Sequence, residues 1–586
     1  MERKFVLDAL DSISQTVLVK GWVHARRDHG GLIFIDLRDH TGVLQLTIQP
    51  DTPDAFAVAS SLRDEFVISA VGEIRERAED LKNPNIDTGS IELVVSELSI
   101  LNKSDPLPIQ VNSTQFISEE NRLKYRYLDL RRPKMQHTLK RRSQFYSYIR
   151  NYMEAKDFIE VATPILANSS PEGARDFLVP SRFYPGKFYA LPQAPQQFKQ
   201  LLMVGGLPRY YQVATCFRDE DPRADRLYGD FYQLDLEMSF VEDGEEVRST
   251  IEPLIKDLVT DFGGKTLLSD TIPRITHAEA MDKYGSDKPD LRFGMELHDL
   301  TDQLKDCGFG VFSGAVSAGG QIKAICVPGG ATFSRSQIDT LTEQAKKDGA
   351  GGLPYMTVVD GKATSSIAKF FNESELANVV QTIGAKEGDL VLFGADKREV
   401  VNKVLGGLRS SLGTTLGLKD QNVVALAWIV DFPFYEWDDS QNKIDFGHNP
   451  FSMPKGGVDA LRSEDKLAIV ADQYDMVMNG YEVCSGAVRN HNPEVMYEAF
   501  GALGYDASYV ESKFGAMLNA FKYGAPPHAG CAFGLDRIFM VLMNEENIRE
   551  VVAFPKNGSG IDVMMDSPSG VDAGQLKELY IKQIEN

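Results

Sequence analysis

The sequence predicts an α+β protein of several domains, and three features indicate this. The chain has 586 residues, enough for several domains that each bury an adequate core. Five short strand-like runs occupy about the first 105 residues, whereas later segments mix helical and strand-like patterns. Between about residues 287 and 420 the pattern changes to short α/β units. We therefore expect a small barrel at 1–105, a larger mixed domain at 137–286 and 421–586, and an inserted α/β domain at 287–420.

The N-terminal barrel is predicted from alternation and from turns marked by glycine. We expect strands at 17–26, 32–38, 43–49, 66–75 and 90–100. Five strands in about 100 residues suit a Greek-key barrel of the oligonucleotide-binding (OB) type, which stacks bases of single-stranded nucleic acid on aromatic side chains. The polar and aromatic residues of the expected binding face are Arg26, Arg27, Asp28, His29, Phe34, Gln45 and Glu92. The alternative for Phe34 is a place in the core, where an alternating aromatic usually lies.

The composition is that of a soluble globular protein, with 43% hydrophobic and 25% charged residues. No run of about 18 apolar residues occurs, so we expect no membrane-spanning helix. The N-terminus lacks the apolar segment of a signal peptide, which indicates the cytoplasm. The cysteines form no CxxC pair, which argues against a disulfide framework or a thiolate zinc site. They are Cys216, Cys307, Cys326, Cys484 and Cys531.

One segment is strongly basic although the net charge of the chain is −22. Net charge governs solubility and steering, whereas local patches govern contact with nucleic acid. The basic residues are Arg122, Lys124, Arg126, Arg131, Arg132, Lys134, Lys140, Arg141 and Arg142, with Asp129 as the acidic exception. Prolines 106, 108 and 133 accompany this segment, so we predict a hinge at 106–136. A solvated linker and a nucleic-acid contact fit this pattern equally well.

Two strand-like runs, at 210–217 and 231–240, flank a charged loop. On the second run, Tyr232, Leu234, Leu236, Met238 and Phe240 should point to one face, and Phe231, Gln233, Asp235, Glu237 and Ser239 to the other. A sheet face with consecutive polar side chains is costly unless it faces water or binds something. The loop itself reads as a solvated hairpin tip, but the polar face beside it favours a site for a charged ligand.

Further along the chain, the patterns predict helices at 138–156, 245–262 and 466–478, and a segment at 191–203 that begins extended and becomes helical. We expect a strand at 479–489 and a strand, glycine turn and helix at 530–543.

In the order of these segments, the chain resembles the class II aminoacyl-tRNA synthetases, specifically bacterial-type aspartyl-tRNA synthetases. Three class motifs occur in order: a long helix with a strand ending at Pro164, the sequence FRDE at 217–220 with its return strand, and GLDR at 534–537. The aspartate-type segments PEGARDF, QQFK, GHNPF, NGYEV and GAVR are also present. The resemblance covers nearly the whole chain and implies an OB-type anticodon-binding domain and an antiparallel-sheet catalytic domain.

The resemblance implies an aspartate–tRNA ligase that uses ATP and Mg²⁺. The aspartate carboxylate attacks the α-phosphate of ATP and displaces pyrophosphate. The terminal ribose hydroxyl of tRNA(Asp) then attacks the activated carbonyl. Neither step needs a protein nucleophile, because positioning and charge neutralisation carry the reaction. The family also implies a homodimer with the region of Pro164 at its interface.

The resemblance assigns roles residue by residue. The implied catalytic residues are Arg218, Glu482 and Arg537. The implied ATP-binding residues are Arg218, Asp219, Glu220, Glu482, Gly534, Leu535, Asp536 and Arg537. The implied aspartate-binding residues are Glu172, Gln196, Lys199, Arg218, Gln233, Asp235, His448 and Arg489. The implied metal ligands are Asp475 and Glu482, and the implied anticodon-binding residues are Arg27, His29, Phe34, Gln45 and Glu92. On residue type alone, the motif arginines could lie on the surface, Asp475 could be an exposed helical acid, and His448 could be structural.

The sequence departs from the family pattern in three places. The loop DRLYGDFYQ is one residue longer than the common DRQPEFTQ, with Leu227 in place of glutamine and Asp230 in place of glutamate. Ala194 and Asn449 replace a serine and a second histidine.

His29 matches relatives that charge tRNA(Asn) as well as tRNA(Asp), so we predict both tRNAs as substrates. The alternatives are an asparaginyl- or lysyl-type synthetase and a tRNA-binding paralogue without activation chemistry.

Overall fold

The computed structural model of the protein describes residues 1–169, 173–360, 362–365, 367–438 and 441–584. They form two compact units, Met1–Thr138 with Asp562–Ser567, and Leu139–Ile561 with Pro568–Asn586. The predicted bounds of the hinge and of the inserted domain stay predictions. Within the described residues, every helix is too short or too polar to span a membrane.

The first unit is built on a six-stranded sheet. Its strands are β1 (Arg3–Lys4), β2 (Thr16–His29), β3 (Leu32–Arg38), β4 (Val43–Ile48), β5 (Val67–Glu76) and β6 (Ile91–Asn102), and helix α1 (Pro53–Ser61) lies between β4 and β5. The strand order is β1-β2-β3-β4-β6-β5, and β5 also pairs with β2, which closes the barrel. The five predicted strands are confirmed to within a few residues, whereas β1 and α1 were not predicted.

Alternation along each strand separates the barrel core from its outer face. In β3, Ile33, Ile35 and Leu37 are fully buried, whereas Phe34 and Asp36 between them are partly exposed. Phe34 therefore points away from the core, and the alternative that it is a core residue is wrong.

The basic segment folds into helices. These are α2 (Glu119–Lys124), α3 (Arg126–Asp129) and α4 (Pro133–Ala155). Asp129 is fully buried and accepts hydrogen bonds from the guanidinium groups of Arg122, Arg126 and Arg132. Arg131 pairs with Glu65 at 2.9 Å. Much of the positive charge of this segment is therefore neutralised by carboxylates of the same unit.

The second unit begins with short strands and the elements that carry the first two motifs. They are β7 (Ile159–Glu160), β8 (Leu178–Pro180), β9 (Phe188–Ala190), α5 (Gln196–Val204), β10 (Arg209–Arg218), β11 (Gly229–Ser239), α6 (Gly244–Asp257), β12 (Thr266–Leu267), β13 (Arg274–Thr276) and α7 (His277–Tyr284). A π-helical turn at Leu258–Phe262 extends α6. The helix predicted at 245–262 is therefore confirmed, with its last five residues in π-helical form.

The next elements build a separate five-stranded sheet in the order β14-β15-β18-β16-β17. They are β14 (His298–Asp299), α8 (Thr301–Leu304), α9 (Gly310–Ser317), β15 (Gln321–Val327), α10 (Arg335–Lys347), β16 (Tyr355–Val359), β17 (Lys362–Thr364), α11 (Glu373–Ile383), β18 (Leu390–Asp396) and α12 (Arg398–Thr415). Leu390 and Leu392 pack with α10 and α12, whereas Val391 and Phe393 pack with α8, α9 and α11. This α/β arrangement agrees with the change of pattern seen in the sequence.

The C-terminal elements complete the larger sheet. They are β19 (Val423–Val424), β20 (Leu426–Pro433), β21 (Tyr435–Asp438), β22 (Lys443–Phe446), α13 (Gly457–Leu461), β23 (Val470–Met478), β24 (Tyr481–Val488), α14 (Pro493–Gly501), α15 (Ala507–Phe521), β25 (His528–Gly534), α16 (Leu535–Leu542) and α17 (Ala573–Glu578). The eight-stranded sheet has the order β13-β20-β23-β24-β25-β11-β10-β7. Its central strands are antiparallel. The strands that follow the five-stranded sheet in the chain, β20-β23-β24-β25, form one block between β13 and β11-β10-β7, which precede it.

The helix predicted at 466–478 is wrong. Lys466–Ala468 is a short 3₁₀ helix, and Val470–Met478 is strand β23 between β20 and β24. Both faces of this strand are buried, so its sequence lacks the alternation that marks a half-exposed strand.

One residue of the β10–β11 hairpin also departs from the prediction. Leu234, Leu236 and Met238 lie in the core as expected, but Phe240 follows the end of β11 with φ of 58° and is 77% exposed. The left-handed backbone at Phe240 ends the alternation one residue early.

Candidate active site

A cavity of about 550 Å³ lies on the polar face of the eight-stranded sheet. The predicted site residues that line it are Gln196, Lys199, Arg218, Glu220, Gln233, Asp235, His448, Glu482, Arg489, Gly534, Asp536 and Arg537. Asp219, Asp475 and Leu535 are not part of its lining, and Glu172 lies outside the described residues. Twelve side chains or backbone groups chosen from scattered parts of the sequence therefore share one cavity.

Arg218 ends β10 opposite Gly229, whose φ of 87° lets the hairpin open into the charged loop. The guanidinium group lies 5.1 Å from the ring centre of Phe231. Its Nε is buried and has no hydrogen-bond partner among the described residues. A buried donor without an acceptor is costly, so this atom is suited to an anionic ligand.

Four charged side chains form a buried quartet at the cavity. Lys199 Nζ lies 2.9 Å from Asp235 and 3.4 Å from Glu237. Arg489 donates to Glu237 through Nε at 2.9 Å and Nη2 at 3.2 Å. Two cations and two carboxylates give the quartet no net charge, which makes burial of all four tolerable.

The two carboxyl groups of the quartet differ in their pKa. Burial raises the pKa of Asp235 although Lys199 opposes it. Burial acts in the same direction on Glu237, but Arg489 and Lys199 outweigh it and hold the pKa of Glu237 below its usual value. Asp235 Oδ1 is buried without a hydrogen-bond partner among the described residues. Asp235 therefore keeps an acceptor for a ligand, whereas Glu237 is saturated by the two cations.

Glu237 is a functional candidate that the sequence reasoning missed. It stands on the predicted polar face of β11 with Gln233 and Asp235, and this alternation could have identified it. Its contact with Arg489 spans 252 positions of the sequence, which no local pattern reveals.

Arg537 and Asp536 of the GLDR sequence have different surroundings. Arg537 donates through Nη2 to the Asp225 carboxylate at 3.1 Å and through Nη1 to the carbonyl of Glu482. Asp536 accepts a hydrogen bond from the backbone N–H of Tyr232 at 2.8 Å and pairs with Arg142. Asp536 thus connects α4, β11 and α16, and its carboxylate is already occupied by groups of the protein.

Asp475 and Glu482 lie on the neighbouring strands β23 and β24. Asp475 is opposite Ser485 and is buried, so it is not an exposed helical acid. Burial, followed by the negative charge of Glu482, raises the pKa of Asp475 well above its usual value. Its Oδ1 lacks a hydrogen-bond partner among the described residues, and His448 Nε2 lies 4.0 Å from its Oδ2.

This pair of carboxylates fits a divalent cation that is also bound by substrate oxygens, because Mg²⁺ usually takes only one or two carboxylates from the protein. Among the described residues, no cluster of three or more His, Cys, Asp or Glu side chains is arranged to hold a metal ion.

The longer loop between β10 and β11 is held by ion pairs. Glu220 pairs with Arg226 at 2.8 Å, and Asp230 pairs with Lys556 at 3.0 Å. Asp219 accepts a hydrogen bond from Tyr228 at 3.3 Å and so turns away from the cavity lining. Three further residues at positions that depart from the family pattern, Ala194, Leu227 and Asn449, line the cavity.

In the first unit, the outer face of the barrel carries a polar network. Arg27 donates to Asp36 at 2.6 and 2.8 Å. Gln45 and Thr47 donate to the same oxygen of Glu92, at 3.1 and 2.6 Å. His29 and Phe34 lie beside this network, with ring centres 6.0 Å apart. The structure thus brings the five predicted anticodon residues to one face.

Comparison with known proteins agrees with both units. A family model described as "tRNA synthetases class II (D, K and N)" matches residues 118–558, and one described as "OB-fold nucleic acid binding domain" matches residues 17–101. The chain is 50% identical over 568 residues to an "Aspartate--tRNA(Asp/Asn) ligase" of Chlorobium chlorochromatii, covering 97% of this chain and 94% of the relative. It is also 50% identical over 567 residues to the protein of that name in Acidiphilium cryptum, covering 97% and 95%.

Solved structures share the fold at low sequence identity. An aspartyl tRNA synthetase from Entamoeba histolytica has a TM-score of 0.57 and 17% identity, covering 95% of this chain and 92% of that one. An asparaginyl-tRNA synthetase from Pyrococcus horikoshii, complexed with asparaginyl-adenylate, has a TM-score of 0.56 and 18% identity, covering 95% and 98%. The family model over most of the chain and the relatives at half identity over nearly its full length show that this protein belongs to the class II tRNA synthetases (D, K and N).

Proposed function

We propose that this enzyme activates L-aspartate with ATP to aspartyl-adenylate and transfers the aspartyl group to the 3′ end of tRNA(Asp) and of tRNA(Asn). One observation carries the proposal. Three buried polar atoms at the site lack a partner among the described residues, namely Arg218 Nε, Asp235 Oδ1 and Asp475 Oδ1. The positive charge of Arg218 is complementary to a phosphate or carboxylate, and the carboxylates of Asp235 and Asp475 are complementary to an ammonium group and a divalent cation, respectively. Aspartate, ATP and Mg²⁺ would supply these partners.

Recognition of aspartate falls to the quartet and its neighbours. Arg489 uses Nε and Nη2 for Glu237, so Nη1 takes no part in that contact and is assigned to the side-chain carboxylate of the substrate. Lys199 adds a second buried positive charge. An asparagine amide would direct N–H groups at these donors, and a site built to hydrogen-bond can reject such a mismatch by about 10⁴–10⁵-fold. Gln196, Gln233 and Asp235 are assigned to the ammonium end, and His448 to its surroundings.

Activation is assigned to positioning and charge neutralisation, because attack of the substrate carboxylate on ATP needs no protein nucleophile. Arg218 is assigned to the α-phosphate and the attacking carboxylate, since its fork and permanent charge suit both. Arg537, fixed by Asp225, is assigned to the far end of ATP, beside Glu220 and the backbone at Gly534.

Asp475 and Glu482 are the proposed ligands of Mg²⁺. When bound, Mg²⁺ would neutralise charge on the phosphates.

The barrel face is the proposed anticodon site. Phe34 is exposed enough to stack on a base, and Gln45 and Glu92 present hydrogen-bonding groups beside it. The printed names of the relatives and the presence of His29 support tRNA(Asn) as a second substrate. We place the enzyme in the cytoplasm, where tRNA is charged.

We further propose a homodimer. Several large side chains between residues 159 and 189 are exposed, which is unusual for a surface that faces only water. They are Ile159, Ile165, Leu166, Leu178, Phe183, Tyr184 and Phe188. This segment contains Pro164, and sedimentation at micromolar concentration should give twice the mass of the chain.

Side-by-side assays test the proposed function. ATP–pyrophosphate exchange should occur with aspartate and not with asparagine or lysine, and aspartate should be attached to both purified tRNAs. Exchange with asparagine alone would assign the enzyme to the asparaginyl type. Tight tRNA binding without exchange for any amino acid would make it a tRNA-binding paralogue.

A further inference from the structure

A line of hydrogen bonds leads from the cavity into the interior of the second unit. Gln196 Nε2 lies 3.1 Å from Gln200 Oε1, and Gln200 Nε2 lies 3.0 Å from His528 Nε2. The other ring nitrogen, Nδ1, lies 2.8 Å from the carbonyl oxygen of Pro526. Gln200 and His528 are fully buried, whereas Gln196 lines the cavity. We call these three side chains the amide relay.

The carbonyl group of Pro526 sets the direction of every bond in the relay. A carbonyl oxygen only accepts, so His528 Nδ1 carries the proton. In a neutral ring, Nε2 is then an acceptor, and Gln200 must turn its N–H toward it and its Oε1 toward Gln196. Gln196 therefore donates through Nε2, which leaves its own Oε1 outside the relay as an acceptor.

The surroundings of His528 favour the neutral ring. Burial lowers the pKa of His528, and the positive charge of Arg489 acts in the same direction. Glu237 on β11 and the Pro526 carbonyl act in the opposite direction without outweighing them. Near neutral pH the ring thus stays an acceptor at Nε2.

A protonated ring would reverse the relay. Nε2 of His528 would become a donor, so Gln200 would turn its oxygen toward the ring and its N–H groups toward Gln196. Gln196 would then present N–H groups instead of Oε1 at its free end. The protonation state of one buried ring thus determines which end of a cavity amide is available.

We propose that His528 is a positioning residue that, through Gln200, holds Oε1 of Gln196 toward the ammonium group of the bound amino acid. The inference rests on the proposed function, since the ammonium group belongs to its substrate. An ammonium group has three donors, and Asp235 Oδ1 can accept from one of them. Gln196 Oε1 would accept from a second, whereas a reversed amide would place donor against donor.

The test uses the full-length enzyme and two variants, His528→Leu and Gln200→Met, which interrupt the relay at different points. We expect the KM for aspartate in ATP–pyrophosphate exchange to rise about 10- to 100-fold in each, as for loss of one hydrogen bond to a charged group. The kcat and the KM for ATP should change less than about threefold on the same scale. If one variant does not fold, the other carries the test.

Succinate separates positioning from packing, because it has both carboxylates of aspartate but no ammonium group. Its inhibition constant should stay within about threefold of the wild-type value in both variants. Equal losses for aspartate and succinate would overturn the proposal, because a merely structural role weakens both. His528→Gln offers an oxygen acceptor to Gln200 and should restore most of the affinity for aspartate.

Two further variants keep the inference distinct from the proposed function. Gln196→Ala should raise the KM for aspartate at least as much as the relay variants; an unchanged KM would remove Gln196 from the ammonium site and with it this part of the proposed function. A raised KM in Gln196→Ala with normal values in both relay variants would overturn the relay alone. Tyr435→Phe is the matched control, since it deletes a buried 2.7 Å hydrogen bond to the Ala499 carbonyl outside the cavity and should leave the KM unchanged.

Discussion

Arg489 and Glu237 share two hydrogen bonds, at 2.9 and 3.2 Å, and both side chains are buried. Arg489 lines the cavity, whereas Glu237 is not part of its lining. Glu237 holds the guanidinium plane in a fixed orientation before any substrate arrives. Such preorganisation reduces the conformational entropy that would otherwise be lost on binding. The specificity proposed for Arg489 thus depends on Glu237, a residue that is not itself assigned to the substrate.

Replacing Glu237 with glutamine should weaken both folding and aspartate binding. Glu237→Gln removes the carboxylate that pairs with Arg489, whereas Lys199 keeps Asp235 as its partner, so the quartet is left with an uncompensated positive charge. Breaking a buried ion pair costs about 3–5 kcal/mol of unfolding free energy. We expect this loss in denaturant unfolding, together with a raised KM for aspartate. Glu494→Gln is the control, because its partner Arg462 is 54% exposed and the change should cost less than about 1 kcal/mol. Similar losses in the two variants would contradict the role given to the quartet.

Arg218→Ala should abolish activation while leaving tRNA binding intact. The unpartnered Nε of Arg218 is assigned to charge that develops on the α-phosphate, and losing one such donor costs about 10²–10³-fold in rate. Pyrophosphate exchange measures the loss, and a filter-binding assay measures tRNA affinity. Arg335→Ala, at an arginine whose side chain is 84% exposed, serves as the control. Exchange at the wild-type rate in Arg218→Ala would show that another residue performs this task.

Asp475→Asn should separate activity from stability. Burial and Glu482 already disfavour the ionised form of Asp475, and its Oδ1 has no partner among the described residues. The metal-free Asp475→Asn protein should therefore unfold at a temperature at least as high as the wild type. The Mg²⁺ concentration needed for half-maximal exchange should rise at least tenfold, which is about 1.4 kcal/mol of binding. A lower melting temperature with an unchanged Mg²⁺ requirement would assign Asp475 a structural role.

Phe34→Ala should weaken tRNA binding by about 1–3 kcal/mol, the usual cost of losing one base-stacking aromatic. Since Phe34 points away from the barrel core, the melting temperature should change little. Phe5→Ala is the control, because Phe5 contacts His40 and Arg3 instead of the predicted anticodon face. Equal tRNA affinities for wild type and Phe34→Ala would remove the stacking role.

His29→Leu should reduce aspartylation of tRNA(Asn) more than that of tRNA(Asp). His29 lies beside Phe34 on the barrel face, and we propose that it contributes there to the choice between the two anticodons. Initial rates with the two purified tRNAs give the ratio directly. An unchanged ratio would place the discrimination elsewhere.

The local sequence pattern was sufficient to predict the barrel strands and the β10–β11 hairpin, because apolar and polar residues alternate along half-exposed strands. It was insufficient for β23, where burial of both faces removed the alternation and pairing with β20 and β24 decided the structure. Tertiary interactions of this kind override local preference.

At the candidate site too, some features could be predicted from the sequence and others depend on the fold. The cavity gathers residues whose types and motifs are legible in the sequence, such as Arg218 and Arg489. Their partners are not legible, since the contact between Arg537 and Asp225 spans 312 positions. Only the fold reveals which charges are already neutralised and which remain for a ligand.

The order of strands in the eight-stranded sheet has a consequence for synthesis on the ribosome. β11 pairs with β25, so its edge stays open until the last part of the chain has been made. At roughly 5–20 residues per second, the intervening chain takes about 15–60 s to emerge. During that time, β11 presents unpaired backbone groups that could pair with a wrong strand. Nascent chains of this enzyme are therefore expected to depend on chaperones until β25 closes the sheet.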